Sequence, residues 1–189
     1  MTTATFPIPE VRLGVTAEDY GQMPDDGRIT ELVKGRVVGM PRPFSSHGYY
    51  CTNIATALHN YVQTLDIGRV VSNDNGVVTE RGPDTVRGPD VAFYSYTRVP
   101  KGPLPTGYWP TPELVFEVLS PSDRTSKIMT KVGEYLEAGV LAVCVLDPEK
   151  RVLAVYPHDG LGRRYEVADI LTLPEVFPDF QIQVCKLID

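Results

Sequence analysis

The run Glu113-Leu114-Val115-Phe116-Glu117-Val118-Leu119-Ser120 constrains the fold more than any other segment of the chain. Side chains alternate sides along a strand, so a run that is apolar at odd and even positions alike must be covered on both faces. The middle of a sheet flanked by helices provides that cover. The exception is Glu117, which shares its side with Val115 and Leu119. Burying an ionised carboxylate alone is costly, so this one needs a cation, a hydrogen-bond cage or a raised pKa.

The rest of the pattern supplies the flanking elements. Residues 1 to 27 read as a lead-in, rich in Pro, Gly and Asp, with a short helix over Thr16 to Met23 capped by Thr16. RITELVKGRVVGM alternates about Lys34-Gly35 and predicts a hairpin. Tyr50, Ile54, Leu58, Tyr61, Val62 and Leu65 recur at helical spacing, giving an amphipathic helix from His47 to Leu65 that Gly68 is expected to close. GRVVS and GVVTE predict two short strands joined by Asn73-Asp74-Asn75, followed by a Gly/Pro loop and the strand PDVAFYS. Tyr96 to Pro112 is a proline-rich loop. After SPSDRTS a second amphipathic helix carries Ile128, Met129, Val132, Tyr135 and Leu136 and stops near Gly139. VLAVCVLD and RVLAVY follow as strands about the turn Asp147 to Lys150, and the tail reads as a connecting segment with one more short extended piece. The expectation is an α/β or α+β fold, one domain over residues 28 to 189, with a mixed sheet flanked by helices.

Composition excludes several classes. Of 189 residues 42% are hydrophobic, enough for one buried core. The longest apolar run, Val140 to Leu146, is far shorter than the roughly 20 residues of a membrane-spanning helix, so no membrane insertion is expected. The first residues lack a basic and then apolar leader, which predicts a cytoplasmic protein. Cys51, Cys144 and Cys185 are odd in number with no CxxC pair, and reduced thiols are the expectation. A net charge of -6 disfavours nonspecific binding to polyphosphate but is compatible with a local basic cleft, or with a carboxylate cleft that loads a cation.

Three acidic residues sit on regular elements: Glu31 between Ile29 and Val33 on one hairpin face, Asp90 opening a strand after Pro89, and Glu117. Carboxylates converging on one point suit a hard cation such as Mg²⁺ or Mn²⁺. Each also has a plainer reading, in which backbone amides or an arginine satisfy it. A lysine beside such a centre orients or deprotonates water and offsets phosphate charge. On the second helix Lys131 falls at the edge of the apolar stripe beside Ile128 and Tyr135, whereas Lys127 points to solvent; a snorkelling core-edge lysine is the alternative for Lys131.

The ordered set ELVKGRVV, SSHG, GPDVAF, PELVFEVLSPSDR, KVGEYLEAGV and LDPEKRVLAVY resembles the Uma-two family of restriction-endonuclease-like proteins, assigned to the PD-(D/E)xK nuclease superfamily. The resemblance covers roughly residues 28 to 185. It implies a restriction-endonuclease-like core with a divalent metal at the sheet edge, Asp90 as the Asp of the PD element, Glu117 as the second acidic ligand and Glu31 as the early acidic residue. The lysine usually found two residues after the second acid is here Leu119, and Lys131 matches the members in which it has moved to a neighbouring helix. His47 and Arg124 are possible accessory residues at the metal or a phosphate, each with a plainer capping or pairing role. Arg69, Arg81 and Arg87 are candidates for a basic rim, and Tyr108 and Trp109 for stacking on a base or for a dimer contact.

Two functions follow. One is a metal-dependent endodeoxyribonuclease, cutting DNA with Glu31, Asp90, Glu117 and Lys131 and working as a homodimer. The other is a nuclease-fold protein that no longer cuts and serves as a DNA-binding or protein-interaction subunit.

Overall fold

The computed structural model describes residues 14–121 and 125–189. Thr16 opens helix α1 (Ala17–Gly21) with a capping box: its hydroxyl accepts from the Asp19 amide while the Asp19 carboxylate accepts from the Thr16 amide. The Ala17 amide also donates to Asp84 (2.8 Å), which fastens this short helix to the sheet beneath it. Strands β1 (Thr30–Val33) and β2 (Arg36–Gly39) form the expected hairpin, with Lys34 (φ 49°) and Gly35 (φ 71°) both in the left-handed region that a two-residue turn requires.

Helix α2 (Ser45–Leu65) ends differently from the expectation. Asp66, at φ 51°, takes the left-handed cap, and Gly68 instead begins strand β3 (Gly68–Ser72). The glycine is needed there for space: a Cβ at 68 would lie 2.3 Å from the Tyr94 carbonyl oxygen and 2.5 Å from the Phe93 ring.

Strands β3 and β4 (Val77–Glu80) do not pair with each other; the Asn73–Asn75 turn carries the chain from one sheet to another. The Gly/Pro loop after β4 contains a further strand, β5 (Thr85–Arg87), too short to register as alternation. One sheet has the order β2-β1-β5-β4. The other has six strands in the order β10-β9-β8-β7-β6-β3, built from β6 (Val91–Ser95), β7 (Leu114–Val118), β8 (Ala142–Asp147), β9 (Val152–Pro157) and β10 (Arg163–Glu166) besides β3. β7 pairs antiparallel with β6 and parallel with β8, so it lies centrally in a mixed sheet, as its doubly apolar sequence demands.

Alternation along β7 sorts the core. Leu114, Phe116 and Val118 face α2, meeting Ile54, Leu58 and Val62. Val115 faces helix α3 (Thr125–Glu137), meeting Ile128, Val132 and Tyr135. The tail is more than a connection. Strands β11 (Ile170–Leu173) and β12 (Phe177–Gln183) pair with each other, and with helix α4 (Cys185–Ile188) they bury Leu171, Leu173, Phe177, Phe180 and Leu187 against the α2 side. Among the described residues no helix is long and apolar enough to cross a membrane.

Candidate functional site

Because Val115 faces α3, Glu117 does too, and at 4% exposure it is buried with the residues that helix supplies. The Tyr135 hydroxyl donates to its Oε1 (2.9 Å), and Lys131 Nζ lies 3.5 and 3.4 Å from its two oxygens. Lys131 and Tyr135 are four residues apart and so stack on one helix face. Burial pushes the Glu117 carboxyl up to about 7, with Asp90 adding to the push and Lys131 opposing it.

Lys131 also reaches across to the smaller sheet, where Glu31 Oε1 is 2.8 Å from its ammonium. The other Glu31 oxygen accepts from Arg87 Nη1 (2.7 Å), and Gly88 N donates to Oε1 (3.3 Å). Arg87 completes its pairing with Glu134, donating from Nε (2.5 Å) and Nη2 (2.9 Å). Burial alone would raise the Glu31 carboxyl, but Lys131 and Arg87 outweigh it and hold it below the usual carboxylate range. Burial likewise acts to strip Lys131 of its proton, yet Glu117 and Glu31 prevail and its pKa is raised. The lysine at this site is a cation.

Asp90 stands just ahead of β6, at the end of β7. Its Oδ2 accepts the Val118 amide (2.6 Å), and its Oδ1 lies 3.4 Å from His47 Nε2. The same ring nitrogen is 3.0 Å from the Val118 carbonyl oxygen. His47, in the first turn of α2, is thus wedged between two oxygens, and its hydrogen bonds to Asp90 and to Cys51 lift its pKa to about 11. On the next helical turn the Cys51 thiol lies 3.4 Å from His47 Nδ1. Asp74, exposed at the rim, is pushed up by the protein packed about it and by Asp90.

Glu31, Glu117 and Lys131 therefore form one linked network, with Asp90 and His47 joined to it through Val118. The three carboxylates are not packed as a ready ligand set. Among the described residues the group whose donor atoms all come within 4.8 Å of one another is His47, Cys51 and Asp90. Asp123 and Arg124 lie outside the described residues. Leu119, at the position the usual lysine would hold, packs against the α3 cluster.

The arginines expected at a basic rim are occupied elsewhere. Arg69 donates to the carbonyls of Val99, Pro100 and Gly102, Arg81 pairs with Glu18 and Asp84, and Arg87 is the buried clamp just described. Trp109 sets its ring edge-on to Tyr94, 5.1 Å between centroids, and donates to the Pro105 carbonyl; with Tyr108 it lines a cavity of about 240 Å³. Sequence reasoning missed Arg87, Glu134, Cys51 and Asp74 as parts of the site, and saw Tyr135 only as core. Spacing carried a signal for two of these: Glu134 is three residues beyond Lys131, and Cys51 four beyond His47.

The chain is similar over 92% of its length to a solved structure from Anabaena variabilis ATCC 29413, described as "a putative nuclease belonging to DUF820", with a TM-score of 0.80, 17% sequence identity and 97% of that chain covered. At that identity the likeness is one of fold. Among curated proteins none matches the sequence. The family model named Uma2 and described as "Putative restriction endonuclease" matches residues 17–185, which takes in every element from α1 to β12 and the whole described site, and the chain belongs to that family.

Proposed function

We propose that the protein is a divalent-metal-dependent nuclease acting on DNA, with Asp90 and Glu117 at the metal, Glu31 completing the acidic set from the facing sheet, and Lys131 beside the scissile phosphate. The observation that carries this reading is the buried array of carboxylates from two sheets balanced by protonated nitrogens: Lys131 between Glu31 and Glu117, and His47 between Asp90 Oδ1 and the Val118 carbonyl. Each nitrogen stands where excess negative charge calls for a cation. The donors fit a hard ion, since carboxylate and carbonyl oxygens are what Mg²⁺ and Mn²⁺ select. Such an ion supplies Lewis acidity toward the phosphodiester and a more acidic water.

The chain's own residues divide the remaining work. Lys131 keeps its proton, so it serves as donor and counter-charge, orienting a water and offsetting charge that builds on the phosphate, rather than as a base. Glu31 and Tyr135 position Lys131 and Glu117 respectively, and Arg87 with Glu134 fixes Glu31 to the helix that bears the lysine. His47 is a positioning residue at Asp90. A homodimer, giving one such site per strand of a duplex, completes the reading.

The test is nicking of supercoiled plasmid with Mg²⁺ or Mn²⁺, run beside Asp90→Asn and Lys131→Met, with thermal shift on adding the ion. Scission by the wild type, a loss of at least 100-fold in both variants, and an ion-dependent Tm rise lost in Asp90→Asn are expected. Absence of scission and of any Tm rise under every divalent ion would overturn the reading and favour a non-cutting, nuclease-fold binding subunit.

A further inference from the structure

We infer that His47, Cys51 and Asp90 form a second kind of cation site, one that selects a thiophilic ion of the zinc class and shares Asp90 with the hard-ion centre. His47 and Cys51 are one helical turn apart on α2, which aims both side chains to the same side. Their Nδ1···Sγ separation is 3.4 Å, close to the roughly 3.5 Å expected when a nitrogen and a sulfur occupy adjacent corners of a zinc tetrahedron. One donor from each of the three residues falls within 4.8 Å of the others, and all three residues are of intermediate burial, the His47 and Asp90 side chains keeping 15% and 12% of their surface exposed.

The opposite edge of the imidazole strengthens the case. Nε2–H is held by the Val118 carbonyl at 3.0 Å, which leaves Nδ1, facing the thiol, as the ligating atom, and the Asp90 carboxylate, whose Oδ1 lies 3.4 Å from Nε2, turns from that edge to join it. Binding sends two protons to solvent, one from the thiol and one from Nδ1, and leaves thiolate, neutral imidazole and carboxylate around a dication. Asp74, itself exposed, adds to the negative field felt by Cys51. Three protein ligands with a fourth position toward solvent suit Zn²⁺ and its spectroscopic substitute Co²⁺; neither Mg²⁺ nor Mn²⁺ has a use for the sulfur. On the nuclease reading above, zinc is then an inhibitor, because it occupies Asp90.

The test needs no nucleic acid. Co²⁺ added to the intact protein should produce sulfur-to-cobalt charge-transfer absorption in the near ultraviolet at one equivalent, abolished by Zn²⁺, absent in Cys51→Ser and retained in Cys185→Ser. Zinc affinity should fall at least tenfold in Cys51→Ser. No such band in the wild type, or an equal band in Cys51→Ser, overturns the proposal. Should Cys51→Ser fail to fold, alkylation of the wild type mapped by mass spectrometry decides: zinc must protect Cys51, and equal labelling with and without zinc overturns it. A band without plasmid nicking leaves this site standing while the nuclease reading falls.

Discussion

At the scale of single residues, Glu117 is a carboxylate whose burial is only partly repaid. Its folded pKa, raised to about 7, exceeds its ordinary value of 4.5, so between those limits the folded chain keeps a proton that the unfolded chain has lost. Stability therefore falls as pH rises through that window and is lowest above it. Glu117→Gln should melt higher than the wild type at pH 8, on the order of 4 °C, and no differently at pH 4, as followed by circular dichroism. Arg87 is the reverse case. It is paired on both sides, so Arg87→Met strands Glu31 and Glu134 and should cost about 3–5 kcal/mol in urea unfolding. Glu117 was legible in the sequence because a charge inside an apolar strand breaks a pattern. Arg87 was not, because its strand has three residues and the partners that bury it come from β1 and α3, remote in the chain.

At the scale of elements, alternation and helical spacing located nearly every piece: the capped α1, the Lys34–Gly35 hairpin, α2, β7 and α3 all lie where the sequence puts them. Pairing was less legible. β3 and β4 read as neighbours yet join different sheets, because strand partners depend on which edges are free, and alternation carries no record of edges. The glycine at 68 looked like a helix stop when its role is close approach to β6. Gly68→Ala should therefore lower stability by about 1–3 kcal/mol through overpacking of the β3–β6 contact, measured by thermal or denaturant melts, with no change in where α2 ends. The position of Lys131 came out of the wheel geometry of α3, but its link to the hairpin sheet did not, since Glu31 lies a hundred residues earlier.

Over the whole molecule, the six-stranded sheet is insulated on one side by α2 together with the β11–β12 pair and α4, and on the other by α3 and the smaller sheet. The final residues are part of that insulation, so Leu187→Ala should cost about 2–5 kcal/mol, as any buried leucine does. The tail escaped the sequence reading because its strands alternate poorly, with β12 exposing four of its seven residues to varying degrees around Phe177 and Phe180. Lys131 and His47 have a consequence beyond chemistry. A protein whose acidic centre is neutralised by its own side chains does not wait on its environment to assemble. Unlike a domain that metal nucleates, it should reach its native state in ion-depleted medium, survive a chelator with its melting temperature unchanged, and take up its cation as an exchange against protons and lysine contacts rather than as an act of folding.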